Sequence, residues 1–120
     1  MWKTPIVFVA SLLPILTGCS GPRSVIAGGV PETGRTLITW YGCGSCHELP
    51  GVRGATGQVG PPLRRIARRA YITGSVPNTP ANLIRWIREP QSVDERTIMP
   101  DMGISMQDGR DIAAYLYTLD

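Results

Sequence analysis

The chain has 120 residues, of which 12 are basic and 9 acidic, and its formal net charge at pH 7 is +3. This excess is too small for the basic surface that nucleic-acid-binding proteins present, so we expect no nucleic-acid partner. The length suits one domain of ordinary size and leaves no room for a second.

Residues 1–18 predict an export signal. Lys3 is followed by an apolar run from Ile6 to Leu16 and then by small residues, which is the layout of a cleaved signal peptide. The run is too short to cross the roughly 30 Å apolar core of a bilayer as a helix. We therefore expect an exported protein on the periplasmic or cell-surface side of a membrane.

The end of this signal, Leu16–Cys19, reads LTGC and resembles the lipobox of bacterial lipoproteins. The resemblance implies cleavage before Cys19 and attachment of acyl chains to its thiol, which would anchor the protein to a membrane. The alternative is an ordinary cleaved signal or an uncleaved anchor in which Cys19 is incidental. The expected organisation is a signal peptide over residues 1–18, a flexible tether over 19–32 and one domain over 33–120.

Helix caps and apolar spacing predict a domain that is all-α with long connecting loops. No window alternates clearly enough to predict a strand. Long loops without secondary structure usually carry function, so we expect these loops to take part in the site. The predicted helices are 34–41 after a Thr33 cap, 62–70, 80–89 after a Thr79 cap, and a last helix that begins at Ser105.

Four arginines lie on the predicted helix over 62–70: Arg64, Arg65, Arg68 and Arg69. At a spacing of four residues their charges repel unless an anion compensates them. Three interpretations are open. The first is a solvated face, or local pairing with nearby acids and the carboxylates of a cofactor. The others are a patch that steers an acidic redox partner and contact with anionic lipid headgroups.

The segment Cys43–His47 reads CGSCH and contains two of the three cysteines and the only histidine. Structural zinc sites need four ligands, and the chain has no second Cys or His pair. Thiol–disulfide exchange usually places Cys-x-x-Cys beside a βαβ pattern, which the predicted helices do not provide. Cys-x-x-Cys-His is the attachment sequence for covalent haem. We therefore predict one covalently bound haem c, with thiol–disulfide exchange as a less favoured alternative.

Haem iron used for electron transfer takes a second axial ligand, and methionine opposite histidine raises the potential. The candidates are Met99, Met102 and Met106. Met99 precedes Pro100 in a non-periodic stretch, where it is well placed to point inward. Met106 begins the last predicted helix, and spacing does not exclude Met102.

On these residues, the sequence resembles the class I monohaem cytochromes c. The resemblance extends from Gly34 to Leu119 and includes several segments in order. These segments are YGCGSCH at 41–47, GPPL at 60–63, LIRWIREP at 83–90, TIMPDMG at 97–103 and DIAAYLYTL at 111–119. The fold implied by the resemblance is a set of cytochrome c-like helices wrapped around the haem, with Gly34 on the first helix contacting Tyr115 on the last.

The resemblance also implies a role for each site residue. Cys43 and Cys46 would carry the haem, and His47 and Met99 would be its axial ligands. The carbonyl of Pro61 would accept a hydrogen bond from the His47 imidazole and so hold its orientation.

The function implied by the resemblance is the transfer of single electrons in a respiratory or periplasmic chain, not catalysis by the chain alone. The expected partners are redox proteins (an oxidase, a reductase or a dehydrogenase), and no small-molecule substrate is expected. If Met99 does not bind iron, the alternative is a five-coordinate haem protein that acts as a peroxidase or gas sensor.

Overall fold

The structure is a computed structural model that describes Met1 and residues 25–120. Cys19, the predicted signal peptide and most of the predicted tether lie outside the described residues. Within the described part, no helix combines the length and apolar character needed to cross a membrane. The elements are α1 Pro31–Trp40, a 3₁₀ turn Cys43–Ser45, a second 3₁₀ turn Ile66–Arg68, β1 Tyr71–Thr73, β2 Val76–Pro77, α2 Pro80–Arg88, α3 Pro90–Val93 and α4 Met106–Leu116.

The prediction of an all-α fold of helices wrapped around a haem is wrong. The described residues contain four helices and an antiparallel two-stranded sheet, in which Tyr71 pairs with Pro77 and Thr73 pairs with Val76. These strands have three and two residues, too few for alternation to reveal them in the sequence. Gly74 adopts a positive φ of 47° at the turn between them.

The predicted helix over 62–70 is also wrong, because only the 3₁₀ turn Ile66–Arg68 forms there. Arg65 has a φ of 58°, a left-handed conformation that interrupts an α-helix. The arginines therefore do not form one helical face. Arg64 pairs with Glu48 at 3.2 Å, and Arg68 pairs with Asp120 at 3.8 Å.

The predicted starts of two helices are confirmed. The Thr79 side chain accepts a hydrogen bond from the Asn82 backbone at the start of α2, and the Ser105 side chain accepts one from the Asp108 backbone at the start of α4. These bonds satisfy amide groups that a helix N-terminus leaves without partners. Helix α1 begins at Pro31 instead of after Thr33, since proline fits the first turn of a helix.

Helix α1 packs mainly against α4, and this crossing forms much of the core. A Cβ atom at Gly34 would overlap the backbone carbonyl of Asp111, so the two helices meet backbone to backbone. The atoms nearest to an added Cβ at Gly34 therefore belong to Asp111 and Ile112, and the contact with Tyr115 stays a prediction. The side chain of Asp111 is buried and accepts a hydrogen bond from the Val30 amide at 2.8 Å, which joins α4 to the start of α1.

Replacing Gly34 with alanine should destabilise the fold. Alanine favours a helix over glycine by about 1 kcal/mol, but the overlap with Asp111 forces α1 and α4 apart, and overpacking of this kind costs about 1–3 kcal/mol or more. We expect a net loss of about 2 kcal/mol in the free energy of unfolding, measured by urea denaturation and circular dichroism. Thr33→Ala, at the adjacent exposed position, is the control and should stay within about 0.5 kcal/mol of wild type. Equal stability of both variants would contradict the close approach of the helices.

Candidate functional site

A cavity of about 550 Å³ lies between α1, α2, α4 and the loops that join them. Its walls are mostly apolar and include Ile38, Leu83 and Leu116, which also belong to the buried core. A volume of several hundred Å³ with apolar walls and few polar groups is typical of sites for small molecules and cofactors. The cavity is therefore the candidate site.

The Cys-x-x-Cys-His segment forms one wall of this cavity. Gly42 has a φ of 71°, and the chain then enters the 3₁₀ turn Cys43–Ser45. The Cys43 carbonyl accepts hydrogen bonds from the amides of Cys46 and His47, at 3.2 and 3.0 Å. This single turn brings both thiols and the imidazole to the cavity, where all three residues contribute to the lining.

The His47 imidazole is held in one orientation. Its Nδ1–H donates a hydrogen bond to the carbonyl oxygen of Pro61 at 2.7 Å. Because a carbonyl can only accept, Nδ1 carries a proton, and in the neutral imidazole Nε2 is then the nitrogen with a free lone pair. Nε2 makes no hydrogen bond within the described part of the chain, so it can bind a metal ion or another Lewis acid.

The glycine-rich loop that follows the motif packs directly against it. A Cβ atom at Gly60 would lie 2.7 Å from Nδ1 of His47, so only glycine lets the backbone approach the imidazole this closely. The Gly60 amide also donates to the Cys46 carbonyl at 2.7 Å. The loop therefore fixes both the motif and the plane of the imidazole.

Cys43 and Cys46 are free thiols and are half-buried. Burial raises the pKa of the Cys43 thiol above its ordinary value of 9.0. The neutral thiol therefore predominates at physiological pH. The two cysteines form no disulfide, and both lie at the cavity wall.

Two of the three candidate methionines line the cavity. Met99 is half-buried, whereas Met102 is 45% exposed, and both contribute to the lining. Met106 lies in the first turn of α4 and is not part of the cavity wall. The structure thus brings Cys43, Cys46, His47 and Met99 to one cavity, together with Met102.

Arg69, one of the four arginines considered in the sequence as a possible surface patch, also lines the cavity. Among the described residues that line the cavity, it is the one with a formal charge at neutral pH, and it donates to the Pro62 carbonyl. Its position follows from the 3₁₀ turn that replaces the predicted helix. Trp86 also lines the cavity, in addition to its place on the apolar face of α2.

Tyr41 connects the cavity wall to α4. It lines the cavity, and its hydroxyl donates to Oδ2 of Asp108 at 2.7 Å. The hydrogen bond to Asp108, followed by burial, raises the pKa of Tyr41 above its ordinary value of 10.0. The bond holds the end of α1, and with it the start of the cysteine motif, against the first turn of α4.

The donor side chains at this site are not grouped closely enough to bind a bare metal ion. Among residues 25–120, no group of three or more His, Cys, Asp or Glu side chains is close enough to hold an ion. The arrangement instead presents one imidazole, two thiols and methionine sulfur around an apolar space. These are soft ligands, which suit transition metals.

The chain is similar to the cytochrome c oxidase subunit 2 of Alkalihalophilus pseudofirmus, with 33% identity over 87 residues. The match covers 72% of this chain and 25% of that subunit, so the chain spans about a quarter of the length of the curated relative. No family model matches the chain, and no solved structure matches it with significance. The match is to part of one oxidase subunit, and it does not single out the class I monohaem cytochromes c.

Substitution of Tyr41 with phenylalanine should reduce stability in a pH-dependent way. Loss of the hydrogen bond to Asp108 should lower the free energy of unfolding by about 1 kcal/mol at pH 7. Since the folded-state pKa of Tyr41 is raised, this contribution is fully present below pH 10 and is lost as the pH rises through the folded-state pKa.

Urea denaturation of wild type and Tyr41→Phe between pH 7 and 11 measures this difference. The difference in the free energy of unfolding between wild type and Tyr41→Phe should become smaller above pH 10. Tyr71→Phe is the matched control, because Tyr71 is 55% exposed and its hydroxyl makes no hydrogen bond in the described part of the chain. A gap that stays constant with pH would contradict the role of the hydrogen bond.

Proposed function

We propose that this protein is a c-type cytochrome with one haem, covalently attached at Cys43 and Cys46, that transfers single electrons. The observation that carries the proposal is the arrangement of the cavity. The two thiols, an oriented imidazole and the Met99 side chain line one apolar space of about 550 Å³. We propose His47 and Met99 as the two axial ligands of the iron.

The residues present fit a haem on three counts. The walls are apolar, as a porphyrin face requires, and the volume lies in the range of cofactor sites. The Nε2 lone pair of His47 is free, because Nδ1 is the nitrogen that bonds Pro61. Arg69 supplies a cation at the wall for the carboxylate groups of a haem.

When bound, the haem supplies an iron that gains and loses one electron. The chain would hold this iron in a constant environment. Pro61 and Gly60 fix the imidazole, and the apolar walls exclude water from the site. Such a site changes little between redox states, which favours electron transfer over the conversion of a substrate. The chain is therefore not an enzyme by itself.

We further propose that the electron partner is an oxidase complex at a membrane. The similarity to a cytochrome c oxidase subunit supports this, with 33% identity over most of this chain. The predicted export signal and lipidation of Cys19, which lie outside the described residues, would hold the domain on the outer side of that membrane. The protein would then act as a tethered carrier or as a subunit of the complex.

The attachment of haem is tested on the full chain expressed in a host that assembles c-type cytochromes. The intact mass should show one haem, and acidified organic solvent should not extract it, because thioether bonds are covalent. Cys43→Ala combined with Cys46→Ala should abolish the linkage, whereas Ser45→Ala, between the two cysteines, should retain it. A wild-type chain without covalent haem would overturn the proposal.

Replacing Met99 with alanine should leave the haem attached and open the iron to added ligands. The oxidised wild type should show the weak far-red absorption of a sulfur–iron bond, and the variant should lose it. The reduction potential should fall by about 0.1 V, since axial ligands tune haem potentials across roughly 0.8 V.

Two other methionines serve as comparisons for this variant. Met106→Ala should behave as wild type, because Met106 lies outside the cavity wall. Loss of the absorption in Met102→Ala instead of Met99→Ala would transfer the ligand role to Met102. Absence of the absorption in wild type would favour a five-coordinate peroxidase or sensor.

A further inference from the structure

The loop that carries Met99 has little structure of its own. Between α3 and α4, residues 94–105 form no helix or strand. The hydrogen bonds within the loop are local: the Met99 amide donates to the Thr97 hydroxyl at 3.2 Å, and the Gly103 amide donates to Asp101 at 2.9 Å. Local bonds of this kind shape the loop but do not fix its position relative to the cavity.

Ile104 buries its side chain in the core, and two side chains from outside the loop donate hydrogen bonds to its backbone. Arg88, at the end of α2, donates to the Ile104 carbonyl at 3.2 Å. Gln91, in α3, donates from Nε2 to the Met99 carbonyl at 2.7 Å. The second bond is made to the backbone of the proposed iron ligand itself, so it bears directly on where the Met99 side chain lies.

Gln91 lies on a well-anchored turn. Pro90, which precedes it, is fully buried, although α3 has only four residues. Ser92, which follows it, accepts two hydrogen bonds from the Arg85 side chain, at 3.2 Å to its hydroxyl and 2.9 Å to its carbonyl. Both neighbours of Gln91 are therefore fixed to α2 or to the core, so the backbone that carries the Gln91 side chain is held in place.

We propose that Gln91 is a positioning residue for Met99: its side-chain amide holds the backbone of the ligand loop and thereby keeps the methionine sulfur at the iron. This inference rests on the proposed function, because it assumes that Met99 binds haem iron. Without the bond, the loop would leave the cavity more readily, and a competing ligand would displace methionine at lower concentration.

The expected size of the effect follows from the energy of one hydrogen bond. A net hydrogen bond changes an equilibrium by about fivefold to tenfold. An external ligand that binds only the methionine-released form binds in proportion to the population of that form. Loss of the Gln91 bond should therefore lower the apparent Kd of added imidazole by about fivefold to tenfold.

The test uses the haem-loaded full chain and four proteins: wild type, Gln91→Ala, Gln91→Glu and Gln107→Ala. Gln91→Glu keeps the length of the side chain and removes its donor at pH 7. Gln107→Ala is the matched control, because Gln107 also donates to a backbone carbonyl at 2.7 Å, that of Gly28, and its other hydrogen bond goes to Asp111 at 3.0 Å, so neither bond is made to the ligand loop. The loss of far-red absorption is followed during an imidazole titration, and the reduction potential is measured.

Both Gln91 variants should have a lower apparent Kd for imidazole and a lower potential, while Gln107→Ala should match wild type. Unchanged Gln91 variants would overturn the inference. Equal shifts in all three variants would also overturn it, since that result would indicate general loosening of the domain. A wild type without haem or without far-red absorption would instead overturn the proposed function, before any variant is compared.

Discussion

The apolar walls of the central cavity are the constraint on which the rest of the structure depends. Helices α1, α2 and α4 each turn buried core residues toward it, so the core of this small domain and the lining of its site are largely the same residues. The space has a volume of about 550 Å³ and apolar walls. Because removing apolar surface from water is favourable, an apolar group that filled this space would stabilise the domain.

The segments that form the cavity walls are held in place in different ways. The cysteine motif, backed by the glycine-rich loop, forms a wall in which backbone lies on backbone and the imidazole has one orientation. The methionine loop is held by side chains from α2 and α3 instead, and its own hydrogen bonds are local. Close packing of backbone thus holds one wall, whereas the buried side chain of Ile104 and a few individual hydrogen bonds hold the other. In the proposed cytochrome, the histidine side of the haem would be permanent, and the methionine side would set how easily other ligands enter.

Local signals in the sequence predicted the parts of the fold that depend on local chemistry. The caps at Thr79 and Ser105 are where they were expected, since a cap needs only a side-chain oxygen and the next few amides. The helix predicted over 62–70 does not form, although its apolar spacing fits a helix, because the backbone at Arg65 is left-handed with a φ of 58°. The short strands were not predicted, because a strand of two or three residues is too short to show an alternating pattern.

The candidate site likewise has parts that local sequence determines and parts that only the folded chain determines. The spacing of Cys43, Cys46 and His47 is visible in the sequence, because one turn of backbone creates that part of the site. The positions of Arg69 and Gln91 are not visible in the sequence, because both side chains donate to carbonyl groups that only folding brings close to them.

The most direct measurement is an anomalous difference map from crystals of the full chain, made in a host that assembles c-type cytochromes, with data collected at the iron and copper absorption edges. The account predicts one iron peak in the cavity, bonded to Nε2 of His47 and to the sulfur of Met99, with continuous density to both cysteine sulfurs. A copper peak in place of iron, or an iron bound away from His47, would contradict it.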